Sequence, residues 1–244
     1  MRDKGDVEST SFVRTIDCDG STLSIKQLYV GTVGCVVWDA ALVLCRFLEN
    51  RAHFGSAYWA GKRVLELGSG TGAVGLAAAV LGADVLLTDL PEIVPLMKEN
   101  ICINSATLRG SAEAMALVWG HDVLPGMKPD VVLMADTIYH EEFVCDLVKT
   151  LVEVTSRHSL VVMAFERRTT GNKPEIERRF FEMMKMHFSA SAVPLEDLDE
   201  EYQCDEISVI MWRRREAELN GHLVNKPLES NGENGDVRDE EQDV

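Results

Sequence analysis

The segment Lys62-Arg-Val-Leu-Glu-Leu-Gly-Ser-Gly-Thr-Gly72 constrains the fold of this chain more than any other. Val64 to Leu67 read as a buried strand, Gly68, Gly70 and Gly72 as a sharp turn, and Ala73 to Leu81 as a helix. Glycines supply a backbone without Cβ where a chain must turn tightly beside a ligand. Nineteen residues beyond Gly70, Asp84-Val-Leu-Leu-Thr-Asp89 offers a second strand that ends in a carboxylate. Together these place a nucleotide or nucleoside at the carboxyl edge of a parallel sheet, with Asp89 on ribose hydroxyls.

Strands and helices alternate through the rest of the chain. Strands are predicted at Arg63–Leu67, Asp84–Thr88, Ala114–Val118, Asp130–Ala135, Ser159–Phe165 and Glu206–Trp212. Helices are predicted at Val36–Asn50, Ala73–Leu81, Glu92–Asn104, Glu141–Arg157 and Pro174–Phe188. This order implies an α/β fold, a Rossmann-like parallel sheet with helices on both faces. Ahead of all this, Ser11–Ile16 and Thr22–Leu28 flank Asp17-Cys-Asp-Gly-Ser21, the signature of a β-hairpin.

With 244 residues and 46% hydrophobic content, the chain suits one domain over 11–215, after a flexible N-terminus at 1–10. Residues 216–244 carry nine acids against Lys226 and Arg238, leaving −7 of the net charge of −16. Their Asn, Gly, Glu and Asp content predicts a disordered acidic tail. The remaining −9 repels phosphate backbones and welcomes a basic protein partner, so nucleic acid is not the expected ligand. The six cysteines form no CxxC pair, and neither they nor the six scattered histidines have metal-ligand spacing. No apolar stretch reaches membrane-spanning length and no signal-peptide core opens the chain, which predicts a cytoplasmic protein that spans no membrane.

The chemistry is expected at the end of the strand Asp130-Val-Val-Leu-Met-Ala-Asp136, followed by Thr-Ile-Tyr139. Asp136 is placed to hold a substrate ammonium, and Tyr139 to wall the channel or meet the cation through its ring. The plainer alternative has Asp136 capping the helix near Glu141 while Tyr139 packs. The Gly70-x-Gly72-x-x-Gly75 spacing also satisfies the dinucleotide fingerprint, so a nicotinamide-dependent oxidoreductase competes. That reading wants a Tyr-x-x-x-Lys pair, and Phe143 stands four residues after Tyr139. A cofactor fold that binds without catalysis is a third alternative.

Several blocks in a fixed order put a methyltransferase ahead of these alternatives. Glu66-x-Gly68-x-Gly70-x-Gly72 resembles the cofactor loop of the seven-strand S-adenosylmethionine methyltransferases. With Gly34-Cys-Val-Val-Trp38-Asp39-Ala40, Thr88-Asp89, Trp119-Gly120, Ala135-Asp136-Thr-Ile-Tyr139 and Phe165-Glu166-Arg167-Arg168, residues 10–215 resemble the family 16 protein-lysine methyltransferases. The spacing is most similar to the branch acting on valosin-containing protein.

The resemblance implies a seven-stranded, mostly parallel sheet with one antiparallel strand, and S-adenosyl-L-methionine as cofactor. It implies cofactor contacts from Trp38, Glu66, Gly68, Ser69, Gly70, Asp89, Trp119 and Ala135. Asp136, Tyr139 and Glu166 are implied as catalytic, with Glu166 pointing toward the site. The plain alternatives are a core role for Trp38, a sheet-edge cover for Trp119, hydrogen bonds from Glu66 that organise the glycine loop without touching the cofactor, and a salt bridge from Glu166 to Arg167 or Arg168. The implied substrate is a lysine of a hexameric AAA ATPase chaperone, valosin-containing protein, with the enzyme itself a monomer. A small-molecule amine is the alternative acceptor.

Overall fold

Two short buried runs, Val64-Leu-Glu-Leu67, apolar but for Glu66, and Val131-Val-Leu-Met134, set the middle of the sheet, because a strand covered on both faces is apolar nearly throughout. The computed structural model describes residues 10–124 and 126–215. The expected flexible N-terminus lies outside them except for Thr10, and the expected acidic tail lies wholly outside.

Seven strands form one sheet: β3 (Arg63–Leu67), β4 (Asp84–Asp89), β5 (Ser111–Ala116), β6 (Val131–Ala135), β7 (Leu160–Glu166), β8 (Phe188–Ala192) and β9 (Ile207–Arg214). Their spatial order is β5-β4-β3-β6-β7-β9-β8. The sheet is parallel except for β9, which runs antiparallel to both β7 and β8. The chain moves outward from β3 to β5, then returns to lay β6 against the other side of β3. That reversal opens a crevice at the carboxyl ends of β3 and β6.

Two apolar cores lie on opposite faces. One unites the hairpin β1 (Ser11–Cys18) and β2 (Ser21–Leu28) with α1 (Asp39–Leu48), α3 (Ala73–Val80) and α4 (Val94–Asn104). The other holds α5 (Val144–Val154) and α6 (Lys173–His187), around Phe180, Met184 and Trp212. A short α2 (Arg51–Phe54) leads into β3. All eight residues of α3 are buried, as an all-apolar helix between sheet, α1 and hairpin must be.

The hairpin closes on Asp19 and Gly20, both at positive φ, the geometry of a tight two-residue turn. It is held from outside by two asparagines on successive turns of α4. Asn104 accepts from the Ser24 amide and donates to the Ser24 carbonyl, and Asn100 does the same with Lys26.

Some boundaries differ from expectation. The first long helix starts at Asp39 rather than Val36, because Val36–Trp38 is extended and the Val37 amide donates to Gln27 Oε1 at 2.7 Å. The strand expected at Ala114–Val118 is β5, Ser111–Ala116, paired along the whole of β4. Trp119 therefore stands in the following loop and closes no strand. The helix expected from Glu141 begins with a 3₁₀ turn, Glu141–Phe143, and ends at Val154, where Thr155 Oγ1 donates back to Leu151.

Candidate active site

Of the eleven candidate residues, all but Glu166 line one cleft at the β3/β6 crevice. Gly68 and Gly70 show why the loop is glycine. Both have positive φ, +65° and +53°. A Cβ on Gly68 would lie 2.9 Å from Thr137 Cγ2 and 3.0 Å from Trp119 Cζ2, and one on Gly70 would lie 2.8 Å from the Gly34 carbonyl oxygen. The loop is thus squeezed between the β6 end, Trp119 and the segment before α1.

Glu66 anchors this loop from below. Its Oε2 accepts from the Gly75 amide at 2.9 Å, and burial pushes its pKa up to about 8 against the opposing pull of that bond. A Cβ on Gly75 would meet Leu87 at 2.2 Å, so the last glycine of the dinucleotide-like spacing serves helix–sheet packing. Ser69 accepts from the Thr88 amide through Oγ at 3.0 Å, which locks the β3 and β4 ends together. Asp89 Oδ2 accepts from the Gly70 amide and Oδ1 from the Leu90 amide, each at 2.7 Å. Both oxygens keep a second lone pair for a diol, although burial raises the group's pKa.

Trp38 stands at the N-cap of α1, 42% exposed, with its indole N–H donating to the Val33 carbonyl at 2.9 Å. It is a wall of the cleft and has no place in the core. Trp119 and Ala135 line the same cleft, and with the glycine loop, Asp89 and apolar walls they fit an adenosyl-bearing ligand.

At the acceptor end, Asp136 has φ +52°, a region few non-glycine residues enter. Its side chain is 9% exposed and caps no helix. Instead Oδ2 accepts from Arg168 Nη2 at 2.5 Å, while Oδ1 accepts from the Glu166 amide at 3.3 Å. Burial raises the Asp136 pKa, and the guanidinium is the foremost influence pulling it back. The Tyr139 phenol, raised by burial and then by Asp89 and Asp136, stays a neutral donor.

Glu166 stands at the edge of the cleft. Its side chain is 45% exposed and lines a small adjoining cavity together with Asp136, Tyr139, Arg168 and Lys173. It reaches the acceptor end through Arg168, whose Nε donates to Glu166 Oε2 at 3.1 Å; Arg167 is engaged with the Asp205 carbonyl instead. The Glu166–Arg168 salt bridge is among the sequence expectations, but the reach of Arg168 to Asp136 and the part of Asn100 are not. Asn100 donates to the Thr71 carbonyl at 2.9 Å as well as holding β2, so it couples the hairpin to the glycine loop. Alternation and spacing carry no sign of a side chain bonding to a distant backbone. Among the described residues no group of His, Cys, Asp and Glu is placed to hold a metal ion, the cysteines are unbridged, and no helix is long and apolar enough to cross a membrane.

Comparison with known proteins agrees with this geometry. A family described as lysine methyltransferase matches residues 17–187. The protein N-lysine methyltransferase METTL21A of Xenopus tropicalis is 36% identical over 162 residues, 66% of this chain and 71% of that protein. The EEF1A lysine methyltransferase 3 of Mus musculus is 35% identical over 204 residues, 82% of this chain and 81% of that one. Among solved structures, the 16S rRNA N2 G1207 methyltransferase of T. thermophilus, in complex with AdoMet and guanosine, has a TM-score of 0.57 at 18% identity. It covers 85% of this chain and 51% of its own, a likeness of fold alone.

Proposed function

The chain belongs to the lysine methyltransferase family as an S-adenosylmethionine-dependent protein-lysine N-methyltransferase, and we propose that its acceptor is a lysine of the AAA ATPase valosin-containing protein, received at Asp136 and Tyr139. The observation that carries the acceptor assignment is the convergence of an acid and a phenol from the β6 end on the cleft that the glycine loop and Asp89 build. The family match separates this loop from the dinucleotide-binding enzymes whose spacing it shares.

When bound, the cofactor supplies a methyl carbon on a sulfonium, which leaves its bonding pair on sulfur as the new N–C bond forms. The residues fit such a group. Gly68, Ser69 and Gly70 offer backbone without side-chain obstruction, Asp89 suits the ribose diol, and Trp38 and Trp119 flank the apolar walls. Asp136 accepts an N–H of the incoming amine and so turns its lone pair toward the cleft. The ammonium must first release a proton to water. The carboxylate on Asp136 remains to balance the methylated ammonium that results. Tyr139 donates from its phenol and narrows the channel against water.

The choice of substrate is supported by the order and spacing of Gly34–Ala40, Glu66–Gly72 and Asp136–Tyr139, and by an acidic chain that favours a basic partner. The named relatives act on their own proteins, EEF1A among them. We further place the enzyme in the cytoplasm, acting as a monomer. The test is labelled methyl transfer from S-adenosylmethionine to the purified hexamer and, in parallel, to a whole-cell lysate. Labelled lysine in the hexamer is the expected result. Label confined to other proteins would overturn the substrate, and label in small amines alone would overturn protein methylation.

A further inference from the structure

Arg168 joins three parts of the cleft mouth that are far apart in sequence. Its Nη2 donates to Asp136 Oδ2 at 2.5 Å and lies 3.1 Å from Glu166 Oε2, and its guanidinium sits 5.6 Å from the centre of the Trp38 ring. One side chain thus links the β6 end, the β7 end and the segment before α1. The Asp136 amide is tied to the Ala164 carbonyl at 2.9 Å, but among the described residues the one other hydrogen bond to its carboxylate is the long one from the Glu166 amide.

We propose that Arg168 is a positioning residue for methyl transfer: by bridging Asp136 and Glu166 while resting on Trp38, it holds the Asp136 carboxylate in an ion pair at the acceptor end of the cleft. The charged and titratable groups facing Asp136 are few. Glu166 pushes toward protonation from β7, Lys173 pulls the other way from the start of α6, and Tyr139 shares its loop. Lys173 Nζ is already bonded to the Tyr139 carbonyl, which leaves Arg168 as the cation in direct contact. An arginine suits this place because its planar fork serves two carboxylates at once while its face lies on an indole.

The consequence for turnover rests on the methyltransferase reading, but the coupling itself does not. Carboxyl carbon NMR of Asp136, followed through pH in wild type, R168Q and R168K, reads the coupling without any substrate. R168Q is expected to raise the Asp136 midpoint by about one unit or more, and R168K to restore most of the shift. In methylation assays the acid limb of kcat/KM should move the same way in R168Q, with kcat down roughly tenfold and recovered in part by R168K. An unmoved Asp136 midpoint in R168Q overturns the proposal. So does a moved midpoint with wild-type kcat and acid limb, or a loss of kcat with no change in either pH profile. A moved midpoint in a protein whose wild type methylates no lysine would overturn the enzymatic reading, and Arg168's part in it, while leaving the coupling in place.

Discussion

Gly34 lies directly against Gly70: the Gly34 carbonyl oxygen occupies a point 2.8 Å from where a Gly70 side chain would begin. The segment leading to Trp38 is thereby seated on the cofactor loop, and the two glycines fix the distance between them. Gly70→Ala forces a left-handed alanine against a backbone oxygen, at a cost of about 1–2 kcal/mol for the conformation alone. Calorimetry with S-adenosylhomocysteine should show at least roughly a tenfold loss of affinity, the equivalent of about 1.4 kcal/mol. Unaltered affinity would mean that this contact does not shape the cofactor cradle.

Asn100 makes one amide serve two neighbours, β2 and the Thr71 carbonyl. Asn100→Leu keeps the volume and strands three backbone partners, so the loss should be about 2 kcal/mol or more. The midpoint of thermal unfolding should fall by roughly 5–10 °C. Asn100→Asp keeps the acceptor but sets a buried carboxylate against the Lys26 and Thr71 carbonyl oxygens, and should be at least as destabilising as Asn100→Leu.

The elements the sequence discloses best are those with strong local chemistry. β3 and the turn at Gly68 are legible because a buried strand, a glycine loop and a later acid admit few arrangements, and Arg63–Leu67 is found where expected. The start of α1 is misplaced because an apolar run from Val36 looks helical until Gln27, ten residues earlier, takes the Val37 amide. β5 is mistaken because its residues, Ser-Ala-Glu-Ala-Met-Ala, have little strand character and are held by pairing to β4. At the site, Asp136 and Tyr139 are visible as a strand-end acid and phenol. The Glu166–Arg168 pair is legible from their closeness in sequence, whereas the reach of Arg168 across to Asp136 depends on tertiary geometry that no spacing encodes.

Glu66 gives the fold a pH signature. Its folded pKa of about 8 stands above the ordinary carboxylate value, so between the two the native state holds a proton that the unfolded chain releases. The resulting stabilisation is full below the ordinary value and is lost as pH rises toward 8, at up to about 1.4 kcal/mol per pH unit. Glu66→Gln retains an oxygen for the Gly75 amide and does not titrate. Urea unfolding between pH 5 and 8 should therefore show a shallower decline with pH in the variant than in wild type. Parallel slopes would place Glu66 among ordinary ionised carboxylates.

Asp136→Ala separates acceptor from cofactor chemistry. The Asp136 carboxylate meets Arg168 and the Glu166 amide, whereas the glycine loop is held by Asp89, Glu66 and Asn100. Removing the carboxylate should leave S-adenosylhomocysteine affinity within about threefold, since none of the loop's own hydrogen-bonded supports is touched. Turnover should drop at least roughly a hundredfold, because the amine loses the group that turns its lone pair toward the cleft. Asp136→Asn tests the charge separately: it can still accept an N–H, but it cannot balance the methylated ammonium. A variant series in which affinity and turnover fell together would return Asp136 to the cofactor cradle, and wild-type turnover in Asp136→Ala would remove it from the reaction.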